Sequence, residues 1–174
     1  MSGRTRGDAE PASAPCDLAA ADPAWRGLAD AAEIRALLGE LLAAERAGAR
    51  GIAELCLPYC PPAARATLTA LARDEGRCCA MLAAALRRLG GHATGEPGAF
   101  YARLAAASGY QERLALLVRG QAWVVRRIDA ALPRLADREL LAALRWMRAQ
   151  HIENLALARA LAGADDGAAG APRG

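Results

Sequence analysis

Apolar residues recur every three or four positions through four stretches of this chain, and a polar side chain interrupts each stretch near its middle. The first stripe reads Ile34, Leu38, Leu41, Glu45, Gly48, Ile52, Leu55, and the second Leu68, Leu71, Glu75, Cys78, Leu82, Leu89. The third is Leu114, Leu117, Gln121, Val124, Ile128; the fourth is Leu140, Leu144, Met147, His151, Asn154, Ala158, Leu161. Positions three and four apart share a helix face, so the pattern predicts four amphipathic helices. The interruptions are periodic too: thirty positions separate Glu45 from Glu75, and thirty separate Gln121 from His151.

Local signals set the helix ends. Asp30, with Glu33 three places on, makes a capping-box start for a helix over 30–57. Pro58, Pro61 and Pro62 stop it, and Pro62 opens a second helix that runs to Leu89, before Gly90 and Gly91. The third helix spans 110–132, ending near Pro133; the fourth follows a cap at Asp137 and ends near Ala162. Short connections pair the first helix with the second, and the third with the fourth, as antiparallel hairpins. The link over 90–109 is long enough to cross the molecule end to end, even with a short helix over 99–107. The expected fold is all-α, a four-helix bundle over 30–162 with a long crossover between helices two and three. Residues 1–29 read as a flexible leader and 163–174 as a flexible tail rich in Gly, Ala and Asp.

Composition agrees with a helical domain. The 174 residues are 54% hydrophobic and only 4% aromatic, dominated by the helix formers alanine and leucine. A net charge of +3, evenly spread, gives no basis for nucleic-acid or anionic-membrane binding. No apolar run approaches the ~20 residues of a membrane span, and residues 1–23 lack the apolar segment of a secretory signal. Five cysteines, two of them adjacent at Cys78 and Cys79, make a poor disulfide framework and point to a reducing compartment, hence the cytoplasm.

The central polar residues carry the chemistry. Because each interruption sits at the middle of its helix, the four meet at one level of a bundle whichever way each helix runs. A buried carboxylate without compensation costs many kcal/mol or holds its proton, and two close together repel. A divalent cation relieves both problems, accepting oxygen and imidazole ligands together.

The pattern resembles the ferritin-like superfamily of carboxylate-bridged di-iron bundles, which place a Glu on helices one and three and Glu-x-x-His on helices two and four. The positions that match are Glu45, then Glu75 and Cys78, then Gln121, then His151 and Asn154. The spacing agrees over about residues 33–162, but only Glu45 and Glu75 keep the residue type; Cys78, Gln121, His151 and Asn154 replace a His, a Glu, a Glu and a His. The runs LLAAERAG, DEGRCCAML, RGQAWVVR and HIENL are also similar to an uncharacterised bacterial ferritin-like subfamily associated with nitrogen-fixing bacteria. The resemblance implies a metal-binding protein, an iron-dependent oxidoreductase with a reduced ligand set. Glu45, Glu75 and His151 would hold one iron or other divalent transition metal, and Cys78 would add a thiolate. Gln121 and Asn154 would orient those ligands or a bound water.

Plainer readings stand beside these. Glu45, Glu75 and His151 also suit a metal-free buried network, in a bundle that has lost its metal and serves as a scaffold or partner-binding protein. Cys78 and Cys79 suit packing. Cys56 and Cys60 flank a hairpin turn, either as loop thiols or as a redox pair. His92 should face solvent and Glu153 solvent or a flanking helix, Glu112 should complement the helix dipole, and Trp123 and Trp146 should fill gaps between helices. With three serines, none on a motif, a serine triad is excluded, and neither a P-loop, GxGxxG nor HExxH occurs. Alanine- and leucine-rich outer faces allow a homodimer.

Overall fold

The computed structural model of the chain describes residues 27–93 and 99–169. Its helices are α1 (Ala31–Gly51), α2 (Arg65–Arg88), α3 (Ala99–Ala106), α4 (Tyr110–Ala131) and α5 (Arg138–Ala169), and no strand occurs among the described residues. Most of the expected leader (1–26) and the end of the expected tail (170–174) lie outside those residues.

The start of α1 is the capping box its sequence predicts. The Asp30 side chain accepts from Glu33 N–H at 2.8 Å, and the Glu33 carboxylate accepts from Asp30 N–H at 3.0 Å. At its other end α1 widens into a π-turn, Ile52–Cys56, closed by a bond from Leu57 N–H to the Ile52 carbonyl. That i→i+5 closure adds a residue to the turn, so Cys56 is buried beside Ile52 and the expected inward residue, Leu55, is only half-buried. In α2 the inward position falls to Leu86 rather than Leu89, because the helix unwinds at Leu89 into Gly90, whose φ of 70° is the left-handed stop that glycine tolerates. Asp137 caps α5 by accepting from Leu140 N–H at 3.0 Å. This helix runs on to Ala169, past the end expected near Ala162: no proline intervenes before Pro172.

Two apolar clusters make the core. One gathers Leu38, Leu41 and Leu42 of α1, Leu82 and Leu86 of α2, Val124 and Ile128 of α4, and Leu140, Leu144 and Met147 of α5. The other holds Ile52, Cys56, Cys60, Leu68, Leu71, Leu104 and Leu117. In chain order Glu45, Glu75 and Gln121 fall between the two clusters on their helices, and His151 follows Met147. Surface pairs identify which ends meet. Arg35 reaches the Leu89 carbonyl, Glu40 pairs with Arg127 at 2.8 Å, Glu33 with Arg134 at 2.9 Å and Arg88 with Asp137 at 2.7 Å. The start of α1, the end of α2, the end of α4 and the start of α5 therefore share one end of the molecule.

The short helix α3 lies across α1 and α4. Leu104 packs onto Gly51, and Phe100 sits where a Cβ at Gly120 would meet its ring at 2.9 Å. Arg113 donates to the carbonyls of Leu55, Leu104 and Ala107 at 3.0, 3.3 and 3.2 Å. Tyr101 donates to Glu54 at 2.5 Å while its ring lies 4.5 Å from the Arg50 guanidinium. Among the described residues no helix is long and apolar enough to cross a membrane.

Candidate metal centre

Five polar side chains are buried at the level between the clusters: Glu45, Glu75, Gln121, His151 and Asn154, none more than 5% exposed. His151 Nδ1 lies 3.0 Å from the Met147 carbonyl one turn back on α5. A carbonyl only accepts, so Nδ1 carries the proton and Nε2 points at the Glu45 carboxyl, 3.0 Å away across the interior. One proton has to lie between Nε2 and that oxygen, on ring or carboxyl, unless a cation takes its place. Gln121 Nε2 donates to Glu75 Oε1.

Burial dominates the titration of these groups. It pushes the Glu45 carboxyl up to about 8, with Glu75 and the Cys78 thiol, both able to donate, partly offsetting it. Glu75 is raised well above the usual carboxylate range by burial first and by the Glu45 charge second. Burial, then the Glu45 and Glu75 charges, drive the Cys78 thiol far up, and burial pushes Cys79 up to about 12. Without a cation the pocket disfavours every negative charge its residues can carry.

Of the residues expected to act together, three form a compact trio and Glu75 sits beside it, its carboxyl against that of Glu45. Glu45, Cys78 and His151 each place a potential ligand atom within 4.8 Å of the others, all three buried. Glu75 meets Glu45, accepts from Gln121 and lies over Gly48, where a Cβ would stand 2.6 Å from Glu75 Oε2. Asn154 is buried three residues beyond His151 and, among the described residues, bonds to none of the other four. The donor set fits a cation on two counts. The anchored ring presents Nε2 inward, the arrangement in which a histidine ligand gives its other N–H to a backbone carbonyl. Gln121 Oε1 is a buried acceptor without a hydrogen-bond partner, and Glu45 Oε2 has none unless the Glu75 carboxyl or the Cys78 thiol donates its proton.

Several outlying residues are placed as their sequence context predicts. His92 and Glu153 are exposed, and Glu112 accepts from Ser108 N–H and Oγ at 2.8 and 2.7 Å before α4. Trp123 packs against the core, but Trp146 does not fill a gap: it is 41% exposed on the outer side of α5. Cys56 and Cys60 are buried free thiols, Cys60 donating to the Leu57 carbonyl at 3.3 Å.

Two features escaped the periodicity. Gly48 stands on the apolar stripe like any small core residue, yet its missing side chain is the space the Glu75 carboxyl occupies. A cleft of about 500 Å³ opens between α1 and α4 beneath α3, with Glu45, Glu75 and Gln121 among its lining residues. Its outer lining includes Arg103, Arg119 and Arg126, which are far apart in sequence or on the polar face and carry no stripe signal.

No curated protein and no solved structure matches the chain. A family model does, over residues 32–161, which take in α1 to α4, most of α5 and every residue of the polar cluster. The chain belongs to the DUF6306 family, a domain of unknown function.

Proposed function

We propose that this chain is a ferritin-like four-helix bundle, α1, α2, α4 and α5, with α3 carried on the long crossover, and that it binds one divalent transition metal at its centre. The observation that carries this reading is the buried trio Glu45, Cys78 and His151, with ligand atoms within 4.8 Å of one another. A carboxylate, a thiolate and an imidazole form a mixed set suited to iron, cobalt or zinc, with room for further ligands. The cation would replace the proton held between Glu45 and His151 and lower the thiol and carboxyl titrations that burial raises. Glu75 stands by as a second carboxylate, beside Glu45 and bonded by Gln121. With iron bound, the centre would supply a redox couple or a Lewis acid to a small molecule in the cleft.

The competing reading is a metal-free polar lock that fixes how the helices pack. The His151–Glu45 contact and the Glu75–Gln121 bond favour it, since they satisfy much of the cluster without a cation. Elemental analysis of protein purified from iron-, cobalt- and zinc-supplemented cultures separates the two. Near one metal per chain, lost in His151→Ala and in Glu45→Gln, is the expected result. A wild type that takes up none of the three metals, even on direct titration, ends the metal reading.

A further inference from the structure

Beyond the centre itself, the cleft leading to it has a charge pattern of its own. Arg103, Arg119 and Arg126 line it, all exposed, and among the described residues none of them forms an ion pair. The acid among its outer residues, Glu40, is already held by Arg127 at 2.8 Å. Glu112 lies within electrostatic reach of Arg119 and the Arg103 guanidinium sits over the Phe100 ring, yet neither arginine is tied up in an ion pair, so the entrance presents a surplus of positive charge in planar guanidinium form, suited to a carboxylate. Arg119 and Arg126 are seven residues apart on α4, with Trp123 between them on the same face, so cation and aromatic wall come as one surface.

Inward from the arginines the walls turn apolar, through Phe100, Leu116, Trp123 and Val124, and between Glu40 and Glu45 α1 offers Ala43 and Ala44 opposite, with Gly48 beyond. The inner end turns polar again but with the opposite demand. Gln121 Oε1 is a buried acceptor without a donor, and both it and the Glu45 carboxyl line the cleft. A second anionic group would meet acceptors and carboxyls there, so the charge belongs at the outer end alone. The volume, about 500 Å³, lies in the ~300–1,000 Å³ range of small-molecule sites.

We propose that this cleft binds a small amphiphilic monocarboxylate, its carboxylate among Arg103, Arg119 and Arg126 and its apolar body running in along Phe100 and Trp123 toward Gln121. This deepens the proposed function by naming the substrate class of the same centre. The binding step itself needs no metal, so the two readings fail separately.

Octanoate is the test ligand, titrated calorimetrically and by tryptophan fluorescence, with Trp123→Phe identifying the responding residue, into the full-length protein, both chelator-treated and metal-loaded. The expected result is saturable one-to-one binding, at least tenfold tighter than that of octanol, of acetate or of the eight-carbon dicarboxylate. In Arg119→Ala/Arg126→Ala, octanoate should weaken at least tenfold while octanol is unchanged; both arginines are exposed, so the fold does not depend on them. Ala44→Phe, which fills the cleft, should remove both ligands. The proposal is overturned by the absence of saturable octanoate binding, by octanol or acetate binding as tightly as octanoate, or by wild-type affinity in the double variant. Metal content measured on the same samples keeps the outcomes apart: octanoate binding without metal uptake sinks only the metal centre, and metal uptake without octanoate binding sinks only this site.

Discussion

Glutamine at position 45 should flatten the pH dependence of stability in the metal-free protein. In the unfolded chain the Glu45 carboxyl ionises near its ordinary value of 4.5; in the fold, burial postpones ionisation to about 8. Between those values the unfolded state has already lost a proton that the folded state keeps, so stability falls as pH rises. The stabilisation is complete below pH 4.5 and is gone once pH has passed through about 8. One such group contributes a slope of at most ~1.4 kcal/mol per pH unit, hence a ceiling of roughly 5 kcal/mol over the whole window. Glu75 is shifted in the same direction and adds to the slope. Against a typical domain stability of ~5–15 kcal/mol, that loss is large. The assay is urea denaturation followed by circular dichroism at pH 5, 6, 7 and 8 with chelator present. Wild type should lose ground steadily across the series, and Glu45→Gln should lose markedly less. With saturating metal the wild-type trend should reverse, because a cation rewards the deprotonated ligands. A chelated wild type whose midpoint is flat or rises from pH 5 to 8, in parallel with Glu45→Gln, would refute the idea that burial holds this carboxyl neutral.

Other substitutions probe the surroundings. Gly48→Ala puts a methyl 2.6 Å from Glu75 Oε2, so thermal melts should show a loss of ~1–3 kcal/mol, whereas Gly76→Ala, with nothing within 4 Å, should gain up to ~1 kcal/mol of helix propensity. Cys78→Ser should abolish the near-ultraviolet thiolate-to-cobalt absorption of a cobalt-substituted protein; an unchanged band would remove the thiol from the metal. Arg113→Met strips three carbonyls of their donor, and hydrogen exchange should quicken in α3, with a global cost on the order of 2 kcal/mol by chemical denaturation.

The helices and their polar interruptions were readable in the sequence because burial acts on one face at a time. A residue such as Glu45 or His151 keeps its place on the stripe whatever its neighbours do. Capping at Asp30 and Asp137 was readable for the same reason: both motifs are closed within four residues. What depends on contact between distant segments was not. The π-turn that exchanges Leu55 for Cys56 has no periodic signature; Leu86, four positions after Leu82, lay within reach of the periodicity, and only the loss of Leu89 reflects the unwinding there. Four polar residues in two pairs thirty positions apart suggest a single ligand set, yet Glu75 sits beside the trio, bonded by Gln121 in the room that Gly48 leaves, a choice made between helices. Trp146 falls on the outer face of α5, where large apolar residues carry no mark distinguishing them from gap fillers. The cleft depends on where α3 lands, and nothing local to α1 or α4 announces it.

The fastening of α3 bears on how a guest would enter. Leu104 on Gly51, Phe100 on Gly120, the Arg113 clasp and the Tyr101 bond to Glu54 hold this helix at several separate points. An entrance framed by so fixed a lintel is pre-shaped, and little ordering entropy remains to be lost on occupation. Association should then be a single encounter, its observed rate climbing in proportion to guest concentration without a slow, saturating phase.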